Sequence, residues 1–563
     1  MGNEKQEIHH ADGRAELADE SVISRSPFYN HDLAPVRIAD RNWTTYNFAA
    51  LWISMAHCIP TYMLASSLMG MGMNWRQALF TILLGNTIVL VPILLNSHPG
   101  TKYGIPFPVL ARASYGILGS NLAAMLRALV ACGWFGIQTW LGGEALHSLI
   151  VAVCRLFSGD KAWADTTLMI GDHTLLTWVC FLVFWGINIW VIYRGMEMVK
   201  HVEDWAAPFV LIMTGLLCIW VYKNAGGLDA ISSHAGTLDA GKFWKVFLPA
   251  LTGMIGYWAT LSLNMPDFTR FGHSQRDQAV GQIVALPTTM VLFAAMGIFI
   301  TSGANVIFAS KLPPEQLKEL WDPMKLALQF DNFWAVAIAM FTVVVATLAV
   351  NIAANVVSPA NDFSNAFPQY IDFKTGGLIT GLMGIAIMPW KLLADPEGYV
   401  FSWLGGYSGG LAAIAGVMIV DYWILRRTRL FLADLYLAEG AYTYDRGWNW
   451  AAVQATVWGC LVSWSGYIAS ASRSGSRSLI FIAVVLIYME AFLLIQVKTV
   501  PTGLVGGLAL VWWLGPSYPV FFQTLSDGAW IVGLLVSGGL YYILARPNLK
   551  LAEGSPHADA LLG

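Results

Sequence analysis

The sequence predicts an all-α protein that crosses a lipid bilayer many times. Only 12% of its 563 residues are charged while 56% are hydrophobic, and the mean hydropathy is +0.57. That charged fraction is about half of what a soluble domain needs to cover its surface. The apolar residues also gather into stretches of about 18 or more, enough to cross a ~30 Å hydrocarbon core as helix.

These stretches fall at 48–70, 78–96, 122–153, 174–193, 205–222, 246–264, 280–302, 333–357, 375–393, 399–425, 450–470, 478–496, 503–522 and 528–545. Gly515-Pro516 interrupts the weak segment 503–522, and the segment 103–118 is too short and Pro-rich to span, so it reads as a re-entrant or interfacial piece. The expected division is a polar tail over 1–45, helices one to five over 46–225, helices six to ten over 245–430, further helices over 447–546 and a tail over 547–563. Lys and Arg are in excess on the side of both tails, most locally at RRTRL (426–430), which predicts a multi-pass cell-membrane protein with both termini cytoplasmic. The N-terminal stretch lacks the basic-apolar-small pattern of a signal peptide.

Several function classes lose support at once. A net charge of −3 argues against a nucleic-acid binder. The six cysteines (Cys58, Cys132, Cys154, Cys180, Cys218, Cys460) lie in or beside apolar segments without CxxC spacing, which predicts small buried residues rather than disulfides or a thiolate metal site. The sequence has no Walker A motif, no GxGxxG placed between strand and helix, no HExxH and no GxSxG elbow, so neither an ATP-driven pump nor an enzyme is expected, and no cofactor or metal. Energy for transport would come from an ion gradient.

Two spans break helical rules at their centres. The first carries His57-Cys58-Ile59-Pro60, where Pro60 removes a backbone donor. The sixth carries Gly253 and Gly256 and ends at Met265-Pro266. These positions correspond if spans one to five and six to ten are inverted halves, an arrangement that places a binding site between paired broken helices. Simple kinking by Pro and Gly is the plainer alternative.

An ionisable or polar residue inside a span needs a partner or a function. On the third span Arg127, Trp134, Gln138 and Glu144 fall near one side, with Trp134 and Gln138 four apart. An indole followed one turn later by a carboxamide suits a flat polar ring, stacked on the one and hydrogen-bonded by the other. Ordinary helix packing accounts for the same spacing. Tyr257 and Trp258 offer a second aromatic face after the Gly break, and Asn351 and Asn355 share one side of the eighth span. Asp267 and Asp362, with Arg112, Arg270 and Arg276 nearby, stand beyond the inner ends of spans six and eight, as an inner gate or as solvated loop charges.

The blocks NWTTYNFAALWISMAHCIPTYMLASSL, LRALVACGWFGIQTWLGGEAL, GYWATLSLNMPDFTRF, NIAANVVSPANDFSN and DYWILRRTRLFLADLY closely resemble the nucleobase-cation-symport-1 family. The resemblance covers roughly residues 40–446. It implies a five-plus-five inverted-repeat, LeuT-like fold with additional C-terminal helices, 12 to 14 in all, working by alternating access. It implies symport of a small heterocycle such as uracil, hydantoin, allantoin or a related purine or pyrimidine with a cation. Carried over residue by residue, the stacking tryptophan is Trp134, the hydrogen-bonding amide Gln138, the second aromatic Trp258 (Tyr257 in the other register, beside Gly256) and the substrate asparagine Asn355. Arg127, Asn351 and Asp362 fall in supporting or gating places, and Phe401 or Trp403 near an outer gate.

The cation site departs from the sodium-coupled pattern. Beside Ala56 and His57 of the first helix, the eighth-helix positions that hold hydroxyls in sodium-coupled members read Ala349 and Val350, with Ala346 a turn earlier. A hard cation needs several oxygen ligands, so proton coupling is expected, with His57 a titrating candidate. A receptor for the same ligands without net transport, and a thiamine-type permease, are the alternative readings.

Overall fold

A computed structural model describes residues 7–158, 168–227, 237–320, 322–330, 333–393, 396–474 and 519–552. The sequence stretch 478–496 and most of 503–522 lie outside them.

The first expected span is two helices, α1 (Thr45–Ala56) and α2 (Ile59–Gly70), meeting at 69°. His57 and Cys58 leave helical backbone geometry, and Pro60 occupies the first turn of α2, where a missing N–H costs nothing. α3 (Trp75–Tyr103) follows, capped at Asn74 and ended by Gly104 in the left-handed conformation (φ 72°). The Pro-rich piece forms α4 (Phe107–Tyr115), a short helix whose every residue is buried. Then come α5 (Ser120–Ser158), α6 (Leu175–Tyr193) and α7 (Met196–Ala225).

The sixth span breaks as the glycines predict. α8 (Ala240–Tyr257) is followed after a 44° bend by α9 (Leu261–Asn264) and α10 (Pro266–Thr269). α11 (Gln275–Phe308) is continuous. The eighth span divides into α12 (Phe333–Asn355) and α13 (Val357–Ala366), followed by α14 (Phe373–Ala386) and α15 (Pro396–Ile419). The described C-terminal part holds α16 (Trp450–Ser463), α17 (Ser465–Ser474), α18 (Pro519–Asp527) and α19 (Ala529–Ala552). The last helix therefore runs past residue 546 into the expected tail, while 553–563 lie outside the described residues.

Among the described residues, eight helices are long and apolar enough to cross a membrane, or ten if each bent pair counts as one span. Their outward faces carry large apolar side chains such as Val91, Ile212 and Val284 (56%, 62% and 58% exposed), as lipid contact requires.

Residues 7–44 of the polar N-terminal stretch lie across the ends of several helices. A hairpin of β1 (Glu7–His9) and β2 (Ala15–Leu17) opens it. Buried Arg41 then donates to the carbonyls of Val36, Ala15 and Thr101, and Asn30 donates to Pro368 and Ile371. Asp32 accepts from Phe373 N–H at the start of α14, while its own carbonyl takes Arg270 Nη1. Scattered single partners of this kind leave no hydrophobic period in the sequence, which is why the segment reads as a polar tail.

Candidate functional site

The break between α1 and α2 turns Cys58 toward the second break. Its Sγ stands 3.1 Å from Tyr257 Oη at the end of α8, and Thr61 Oγ1 is 3.3 Å from the same hydroxyl. α5 runs past this junction. Trp134 meets Tyr257 edge to face, with ring centres 5.8 Å apart at 85°. Its indole N–H donates to Tyr407 Oη of α15 (3.2 Å), and Tyr407 donates onward to the Gly256 carbonyl (3.1 Å). One turn after Trp134, the Gln138 side chain reaches Cys58, while its Oε1 is buried without a hydrogen-bond partner. Trp134, Gln138, Gly256 and Tyr257 thus converge on one place between the two breaks.

Trp258 sits one residue further round. It packs against Tyr257 (4.8 Å) and edge-on against Trp52 of α1 (5.1 Å), and its buried Nε1 has no partner. Tyr257 is the sixth-span ring that meets Trp134, and Trp258 buttresses it. Asn355, at the end of α12, donates to Asn351 Oδ1 (3.1 Å). Asn351 in turn donates to Asn188 of α6 (3.1 Å) and Thr139 of α5 (3.0 Å), so it holds three helices together behind the site.

Three members of this neighbourhood escaped sequence reasoning. Tyr407 lies one turn past Phe401 and Trp403, whose side chains fall outside the described ones. Cys58, expected as packing, bridges the two breaks. Thr347 is an eighth-span hydroxyl beside Ala346, buried and without a hydrogen-bond partner for Oγ1. Each is a single small or aromatic residue in an apolar run, so neither spacing nor composition sets it apart.

Of the positions expected around the ion, His57 and Ala346 line one cavity, and the set is poor in side-chain oxygen. Ala56, Ala346, Ala349 and Val350 are all buried and bring no side-chain oxygen. His57 Nε2 pairs with Thr214 Oγ1 of α7 (2.5 Å), and its ring lies edge-on to Phe293 of α11 (4.5 Å). A cavity of about 290 Å³ opens beside it, lined by His57, Cys58, Tyr62, Thr214, Ala346 and Thr347 among others. Cys58 is common to this cavity and to the Trp134–Gln138 cluster.

Below the cluster, toward the start of α5, the charges are buried, which corrects the solvated-loop reading. Asp267 and Asp362 are fully buried, and Arg127, equally buried, faces both. Arg127 Nη2 donates to the Ala354 carbonyl (3.1 Å), Asp267 Oδ1 accepts from Phe107 N–H (3.0 Å), and both Asp362 oxygens lack a hydrogen-bond partner. Arg112 is tied to Asn365 and Leu435, and Arg270 to Asp32, so both are structural anchors at this end; Arg276 is exposed. Glu144 faces Asp322 and Lys325 instead of the cluster.

Paired broken helices around a buried aromatic and amide cluster, in a bundle built for lipid, are the architecture of a membrane transporter. The chain belongs to the permease family for cytosine/purines, uracil, thiamine and allantoin, which matches residues 35–494. The purine-uracil permease NCS1 of Arabidopsis thaliana is 39% identical over 468 residues, spanning 83% of this chain and 76% of that relative. The allantoin permease of Bacillus subtilis is 39% identical over 480 residues, 85% and 95% of the two chains. Among solved structures, Mhp1, a nucleobase-cation-symport-1 family transporter, closed with bromovinylhydantoin bound, shares the fold. Its TM-score is 0.68 at 23% identity, and the match covers 93% of this chain and 96% of Mhp1. The inward-facing form of Mhp1 aligns with a TM-score of 0.66. The protein is a multi-pass membrane permease rather than an enzyme.

Proposed function

We propose that the protein imports a small cyclic imide or ureide, of the uracil, hydantoin or allantoin type, by proton symport. One observation carries this reading: Gln138 Oε1 is buried and unpartnered one turn from the Trp134 indole. A ring lying against Trp134 and the Tyr257–Trp258 pair would donate its N–H to Gln138 Oε1. Its carbonyl would accept from Asn355, whose amide nitrogen has a second hydrogen beyond the one given to Asn351. The Gly256 carbonyl and Tyr407 hydroxyl would close over it. Residues 46–225 and 245–430 would be the two inverted halves rocking about this point, with both termini cytoplasmic, Arg127 and Asp362 gating the inner side, and Phe401 or Trp403 flanking the outer one.

The relatives' names support the ligand class and leave the choice within it open to pocket shape. Thermal-shift measurements on the purified chain against nucleobases, hydantoin, allantoin and thiamine test it. A shift with one cyclic imide or ureide and none with thiamine is expected; stabilisation by thiamine alone would overturn it. Proton coupling is supported by the oxygen-poor Ala346, Ala349 and Val350 set. Robust accumulation in proteoliposomes under a sodium gradient without a proton gradient would contradict it.

A further inference from the structure

We propose that Glu203 of α7 is the group that carries the coupled proton, an assignment that rests on the proton-symport reading above. Glu203 is 2% exposed within a membrane-spanning helix, where an ionisable side chain requires a partner or a role. Ser54 of α1 donates its hydroxyl to Glu203 Oε2, and Oε1 is buried with no hydrogen-bond partner. Ser54 lies one turn before His57, where the first span breaks.

The surrounding charges do not neutralise this carboxyl. On its own helix, Asp204 adds a like charge and is held by Asn47 Nδ2 (3.0 and 3.1 Å). Lys200, one turn back, reaches Asn42 (3.3 Å), and His201 stands on the exposed side. From α1 come Tyr46, whose hydroxyl donates to the Asp204 carbonyl, and His57, already paired with Thr214. α11 offers Arg276, which is exposed, and Asp277, which accepts from Thr45 (2.8 Å); α6 offers Cys180 and Tyr193; α12 has no ionisable residue. A charged Glu203 therefore meets hydroxyl and hydrocarbon but no cation.

The carboxyl also sits on a seam between a broken helix and its neighbour. Asn47–Asp204, Ser54–Glu203 and His57–Thr214 join α1 to α7 at successive turns. Any movement of α1 against α7 during transport has to rearrange this seam, so proton occupancy of Glu203 and the position of α1 are linked. In the loading step an O–H bond forms between a proton from the outer side and the Glu203 carboxylate, neutralising it. In the release step that bond breaks toward the inner side and restores the carboxylate, with no change in electron count. His57, the candidate offered by sequence, pairs with Thr214 through Nε2 and lies edge-on to Phe293, with its Nδ1 buried and unpartnered.

The test uses the full chain in proteoliposomes with labelled uracil, hydantoin and allantoin. Wild type should exchange one of these in counterflow and accumulate it when the outside is made acidic. Glu203→Gln should keep counterflow but lose about tenfold or more of the gradient-driven accumulation and its pH dependence, while Glu203→Asp should keep accumulation with a displaced pH profile. Ser54→Ala, which leaves the carboxyl in place, should displace that profile as well. Wild-type accumulation by Glu203→Gln under the proton gradient would overturn the assignment, as would loss of counterflow in both Glu203 variants, which would make the residue structural. Wild type that exchanges substrate but is driven only by sodium would overturn it while leaving the transport reading intact; absence of counterflow in wild type would remove both.

Discussion

In the proposed binding mode, Gln138 is the residue on which recognition of the ring depends most directly, because its Oε1 has no competing partner. Gln138→Ala should weaken binding by about 1 kcal/mol, a fivefold rise in Kd by titration calorimetry, the ordinary worth of one buried hydrogen bond. Gln138→Glu keeps the acceptor and should retain more affinity than Gln138→Ala. The sequence made this pair legible because an indole and an amide four apart on one helix face form a pattern. Tyr407, Cys58 and Glu203 form none. Each acquires its meaning from a partner on another helix, at separations from 149 residues for Ser54–Glu203 to 273 for Trp134–Tyr407. The choice between Tyr257 and Trp258 likewise depended on where α8 stops. One residue is a 100° rotation of a helix, enough to exchange the ring that faces Trp134 for the one that faces Trp52.

The element that aims Trp134 and Gln138 is α5, and its placement depends on a close approach to α14. Gly136 lies between the two site residues, and a Cβ there would stand 2.4 Å from the Gly384 carbonyl oxygen, while one on Gly384 would meet Phe135 at 2.6 Å. Small residues at such crossings let membrane helices touch backbone to backbone. Gly136→Ala should therefore force the helices apart, lowering both thermal stability in detergent and ligand affinity; unchanged Tm and Kd would contradict this packing role.

Arg127 acts on the same helix two turns earlier. Arg127→Ala leaves Asp362 buried without its cation, while Arg270 remains beside Asp267, and should cost about 3–5 kcal/mol, read as a large drop in Tm, with partial recovery when Asp362→Asn is added. An undiminished Tm would show that the carboxylates are solvated after all. The broken helices α1–α2 and α8–α9 were legible from Pro60 and Gly256, because those residue types act on the local backbone. The burial of Asp267 and Asp362 was not, since residues 266–269 and 357–366 look like loop until α4 and the N-terminal segment cover them.

At the scale of the whole molecule, the N-terminal segment ties neighbouring ends of α3, α10 and α14 into one surface. Glu7 accepts a hydrogen bond from Leu432 N–H (2.6 Å) across this surface. Burial, reinforced by nearby Asp434 and opposed by the Leu432 amide, pushes its carboxyl from 4.5 up to about 7. A raised carboxyl favours the docked state most below its free value and loses that contribution as pH rises through about 7. Hydrogen exchange at residues 7–17, corrected for intrinsic rate, should accelerate across that range, and Glu7→Gln should flatten the change; equal pH dependence in the variant would contradict it.

In the proposed binding mode a flat heterocycle lies on Trp134. The most direct test is titration calorimetry of uracil, hydantoin and allantoin into the purified wild type and Trp134→Ala, with Tm measured on both. Loss of a stacking face is worth about 1–3 kcal/mol, so the variant should bind about five- to 150-fold more weakly. Because Trp134 is buried against Tyr257 and Tyr407, its truncation also lowers Tm, which is read to confirm that the variant is folded at the titration temperature. Equal affinity in Trp134→Ala, or no binding of any of the three by the wild type, would contradict the account.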